Sequence, residues 1–119
     1  MENKEIFEMD TIIANYLSEF GVPSHVYGYR FLIMAIKIAI DDAETVSKVA
    51  KNIFTPIAEK FNITPQRVST EISRAIQIAF DRGRLTTLLE DNKLDPKAKP
   101  KSQEFIAIVS KEIRSEINT

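Results

Sequence analysis

The sequence has no cysteine, no tryptophan, one histidine and only three glycines. Without thiols there is no disulfide framework and no thiolate metal site. The single histidine, His25, has no clustered carboxylates at metal-ligand spacing, so neither a metal centre nor a Ser-His-Asp relay is expected. It is expected instead as a loop side chain, hydrogen-bonded to hold a turn. None of the glycines lies in a phosphate-cradling pattern, and Asp41, Asp42 and Glu44 form a polar run at a helix end, expected to be solvated. The chain is therefore expected not to be an enzyme and to need no cofactor. Long apolar runs are also missing. The longest, Phe31 to Ile40, is interrupted by Lys37 and too short to span a bilayer. The opening MENKEIFEMD has no apolar signal core, so a cytoplasmic protein without a membrane partner is expected.

A formal net charge of −1 is a poor match for a polyanion, but the charge is unevenly distributed. Residues 1–47 carry three basic and eight acidic groups, residues 48–84 seven basic and three acidic, and the remainder six of each. A basic middle can face a phosphate backbone while the rest keeps the chain soluble. What is present in quantity is ordinary globular material, 44% hydrophobic and 28% charged residues. At 119 residues, one helical domain over 1–119 is expected, with enough core to fold unaided.

The apolar periodicity is helical almost throughout and predicts an all-α fold of about six helices. Glu5 to Phe20 spaces Ile6, Met9, Ile13, Tyr16, Leu17 and Phe20 by threes and fours, with Gly21 as a C-terminal stop. Gly28 to Asp42 is apolar nearly all round, the mark of a central helix. Glu44 to Phe54 predicts a moderately polar helix, broken or bent at Thr55-Pro56, where a Thr cap and proline restart a short helix to Phe61. Thr64-Pro65 repeats that start for a long helix to about Arg82, closed by Gly83. A short helix is predicted at Leu85 to Glu90, a loop at Asp91 to Lys101, and a last helix from a Ser102 cap to Glu116. Its apolar stripe is Phe105, Ile106, Val109, Ile113 and Ile117.

Two of these helices have the chemistry of a helix-turn-helix over about residues 56–82. Ala58 is small where the first helix approaches the second. Asn62 tolerates the left-handed turn, and Ile57, Phe61, Ile63, Val68 and Ile72 supply apolar pins. The long helix would then read DNA, with Gln66, Arg67, Ser69, Thr70 and Ser73 toward the bases. Arg67 can bond guanine O6 and N7, and Gln66 can bond adenine. Lys48, Lys51, Lys60, Thr64, Arg74, Arg82 and Arg84 are expected at phosphates, which orient without specifying.

The stretches "GVPSHVYGYRFLIMAI" (residues 21–36), "IAEKFNITPQRV" (57–68), "AIQIAFDRG" (75–83) and "KPKSQEFIAIVSKEIR" (99–114) make the chain resemble a known family. It is the C-terminal DNA-binding effector domain of the response regulator that initiates sporulation, the stage zero sporulation protein A family. The resemblance implies an all-helical domain that binds double-stranded DNA in promoters and touches RNA polymerase sigma factor. Action as a homodimer or in tandem on paired sites is expected of such a regulator. Its base-reading stretch is Arg-Val-Glu-Arg, here Arg67-Val68-Ser69-Thr70, and Glu71 replaces a small residue. "RLTTLLEDNKLD" lacks the family's aromatic-glycine pattern near the sigma-contacting surface. No receiver domain is present, as expected of an excised domain or a free-standing relative. The competing expectation is an interaction module that pairs with a full-length regulator through Phe105, Ile106 and Val109 of the last helix.

Overall fold

The most apolar stretch of the sequence becomes the central element. The computed structural model describes the backbone of residues 2–118 and the side chains of residues 8–118. Helix α2 (Tyr27–Asp41) packs against α1 (Glu2–Glu19), α4 (Pro65–Asp81) and α6 (Ser102–Ile117), which explains why it keeps almost no polar side. Between them run a 3₁₀ turn (Ala43–Lys48), a π-helical turn (Ala50–Phe54), α3 (Thr55–Phe61) and α5 (Thr86–Asp91). No strand occurs among the described residues, so the fold is all-α.

One core threads these elements. Ile13 and Leu17 of α1, Leu32 and Ile36 of α2, Ile57 of α3, Ile72 and Ile76 of α4, Leu89 of α5 and Phe105, Ile106, Val109 and Ile113 of α6 are all fully buried. Each aliphatic side chain so buried contributes about 1.5–3 kcal/mol before entropic losses. Met9, Tyr16 and Phe20 pack at the margin of this core, while the Ile6 side chain lies outside the described residues. Because Phe105, Ile106 and Val109 are spent on the core, the stripe expected to serve a protein interface is not available for one. Ile117 stays outside the core at 43% exposed.

Three local expectations are corrected. The segment from Ala43 to Phe54 is not an α-helix. Asp42 accepts from the Glu44 N–H, Thr45 donates to the Asp42 carbonyl and Ser47 to the Glu44 carbonyl, local bonds that favour the tighter 3₁₀ geometry. Nor is there a break at Thr55-Pro56. Thr55 has helical angles (φ −63°, ψ −49°) and its hydroxyl donates to the Ala50 carbonyl instead of capping α3. The π turn there widens the helix by one residue, which relieves the clash a proline ring makes with the carbonyl four residues earlier. Finally, α6 begins after Lys101, not on a Ser102 cap: Glu104 reaches back to accept from the Lys101 N–H at 2.9 Å.

Four helix ends share one device. At Gly21, Asn62, Gly83 and Lys93 the chain turns left-handed, with φ between 54° and 79°. In each, that residue's N–H bonds the carbonyl three residues back, and the next N–H bonds the carbonyl five back. This pattern satisfies the last carbonyls of α1, α3, α4 and α5 and reverses the chain within two residues.

Candidate nucleic-acid interface

The tight turn between α3 and α4 is set by local chemistry. Asn62 adopts φ 54°, ψ 46°, Ile63 donates to the Ala58 carbonyl at 3.0 Å, and Thr64 in extended geometry accepts from the Arg67 N–H at 3.1 Å. A threonine cap followed by Pro65 makes a firm start to a helix. Ala58, 2% exposed, leaves room for α4. Phe61 packs edge-on against Phe31 at 5.2 Å and fixes α3 on α2. Thus the first turn of α4 is held rigidly and its outer side is open.

Along α4 the buried row is Val68, Ile72, Ala75, Ile76 and Ala79. Helical spacing puts Gln66, Arg67, Thr70 and Arg74 on the other side and Ser69 and Ser73 on one flank. Gln66 and Arg67 are exposed and Arg74 is exposed, whereas Ser69, Thr70 and Ser73 are half-buried. The Ser73 hydroxyl also accepts from the Lys99 ammonium at 2.5 Å, a contact 26 residues away that the sequence reading did not include.

Glu71 packs sideways. Its side chain is 14% exposed, with the carboxylate 3.4 Å from Arg67 Nε and 3.7 Å from Arg74 Nη1. Arg67 in turn lies over the ring of Tyr27, its guanidinium carbon 5.9 Å from the ring centre. Ser24, His25, Tyr27, Arg30, Lys60 and Arg67 line a common groove beside the α3–α4 turn. Tyr27 and Arg30 had no sequence signal, since only packing brings the start of α2 to α4. His25 is exposed in this groove and makes no side-chain hydrogen bond among the described residues, contrary to expectation. The turn into α2 is closed by the backbone, Tyr29 N–H to the Val26 carbonyl.

The expected phosphate-contacting residues are spread over the surface. Lys60 just precedes α4, Thr64 caps it with its hydroxyl, and Arg74 lies near its middle. Arg82 and Arg84 lie at the far end of α4, roughly 22 Å from Arg67 by helical rise. Arg82 donates to the Gly21 carbonyl at 2.9 Å and so ties the end of α4 to the end of α1. Lys48 and Lys51 are exposed on the 3₁₀ and π turns.

An all-helical fold with a firmly capped amphipathic helix, polar along its outer side with Arg67 and Arg74 in its first ten residues, fits the class of helical DNA-binding domains. Residues 13–113 match the family described as sporulation initiation factor Spo0A C terminal, and the chain belongs to that family. Its members are DNA-binding effector domains in the regulation of transcription at sporulation. No described helix is long and apolar enough to cross a membrane.

Proposed function

We propose that this protein is a sequence-specific transcriptional regulator in the cytoplasm, with α3 and α4 as a helix-turn-helix and α4 as the helix that enters the major groove. The observation that carries this reading is the open outer side at the start of α4, where Gln66 and Arg67 stand exposed directly after a rigid capped turn. Such N-terminal positions of a recognition helix meet base edges. Arg67 and Gln66 are assigned to the bases and Thr70, Ser69 and Ser73 to tuning of the preference. Lys60, Arg74 and the remaining cations are assigned to phosphates. Without the glutamate and second arginine of the Arg-Val-Glu-Arg reader, the family's own target sequence is not carried over to this protein. Dimeric or tandem binding on paired sites and contact with RNA polymerase sigma factor belong to the same reading; sedimentation with one-site and two-site duplexes tests the first.

Selection of bound duplexes from a random pool tests the whole. Enrichment of a short motif is expected, and its absence would sink the reading. Arg67→Ala is expected to cost about 1–3 kcal/mol on the enriched site and little on a shuffled duplex, while Lys60→Ala weakens both alike.

A further inference from the structure

Tyr27 is a large ring left 68% exposed, and Glu71 is a carboxylate left only 14% exposed between two arginines of α4. Both contact the same side chain. Arg67 has its guanidinium over the Tyr27 ring and its Nε against the Glu71 carboxylate. The placement of the ring follows from the residue beside it. A Cβ on Gly28 would stand 2.1 Å from the Glu71 carbonyl oxygen and 2.7 Å from the Ala75 side chain, so only glycine lets the start of α2 lie directly on α4. That close approach carries Tyr27 to the flank of the first turns of α4.

Resting on the DNA reading above, we propose that Tyr27 and Glu71 are positioning residues that set the Arg67 guanidinium for base recognition, so that sequence discrimination depends on a residue of α2. An arginine alone on a helix surface samples many rotamers and loses them when it meets a base. Here the ring face restrains the cation and the carboxylate restrains Nε before DNA arrives. Glu71 also offsets the charge of Arg67 and Arg74. This lowers sequence-independent attraction to phosphates, which scales with the number neutralised. Both effects widen the gap between the preferred duplex and any other.

Two measurements on the whole chain test this. In the free protein, the Arg67 Nε–Hε resonance is followed by NMR. It is expected to move in Tyr27→Leu, which keeps bulk but removes the ring, and to stay nearly in place in Tyr27→Phe, with helical content unchanged in both. An unmoved resonance in Tyr27→Leu overturns the proposal. The second measurement is the affinity ratio between the duplex most enriched from a random pool and a shuffled duplex of equal length. Tyr27→Leu is expected to lower that ratio about 2- to 5-fold, the range for an exposed cation–ring contact, and Tyr27→Phe to preserve it. Glu71→Gln is expected to tighten binding to the shuffled duplex and steepen its salt dependence. In an Arg67→Ala background Tyr27→Leu should then have no further effect. If Arg67→Ala abolishes discrimination but Tyr27→Leu leaves it intact, positioning by Tyr27 fails while base reading stands. If Arg67→Ala leaves discrimination unchanged, base reading fails and the proposal falls with it.

Discussion

Asn62 shows how one residue type can be required by one dihedral angle. Asparagine enters the left-handed region readily, and other non-glycine residues pay roughly 1–2 kcal/mol there. Asn62→Ala should therefore lower the unfolding free energy by about 1 kcal/mol or more in urea titrations, while Asn62→Gly should be close to neutral. Lys93 sits in the same conformation (φ 60°) without that tolerance, so Lys93→Gly is expected to raise stability by up to about 1 kcal/mol. Gly28 is constrained by space instead. Gly28→Ala forces its Cβ onto the Glu71 carbonyl, and a loss of about 1–3 kcal/mol in thermal melts is expected as α2 and α4 separate. Because the same shift moves Tyr27 off Arg67, duplex discrimination should fall with it.

Among the elements, the α3–α4 pair was the most legible because its determinants are local. Asn62 in the turn, Thr64 as cap and Pro65 in the first turn each act within a few residues of themselves. Thr64→Ala should cost about 1 kcal/mol, read as a lower melting temperature. The segment just before was misread for a related reason. Thr-Pro is a restart signal when the preceding residue is free to leave the helix, but Ile53, Phe54 and Ile57 are all buried here. Keeping those three side chains in the core favours a continuous helix with a widened turn over a break. Ser102 failed as a cap since Glu104 satisfies the Lys101 N–H one residue earlier, a choice that spacing alone does not separate.

For the molecule as a whole, the acidic groups on α1, α5 and α6 give stability a pH dependence. Partial desolvation first, then the neighbouring Asp91, Glu116 and Glu19, hold the Glu112 carboxyl above the ordinary carboxylate range, although the residue is exposed. A folded-state value above the unfolded one means that the stabilisation is present at acidic pH and fades as pH rises through the raised value. Glu112→Gln should thus raise the melting temperature at neutral pH, with the difference vanishing toward about pH 4, where the unfolded group is protonated too. Tyr16 follows the same sign. Burial and a hydrogen bond to Glu116 push its hydroxyl up to about 12. Stability is accordingly lost as pH climbs from about 10, the unfolded value, toward that figure, and Tyr16→Phe should flatten this alkaline limb in melting experiments.

The sequence by itself determined the all-helical class, the central role of α2 and the turn that precedes α4, since apolar period and turn chemistry act over one or two helical turns. Family membership was also legible, in the stretches around residues 21–36 and 99–114. Tertiary structure alone decided which neighbours the functional side chains keep. Tyr27 meets Arg67 across 40 positions, Lys99 meets Ser73 across 26, and Arg82 meets Gly21 across 61. Such contacts depend on how closely whole helices approach, a quantity set by the combined packing of the core and, at Gly28, by the absence of a single carbon atom.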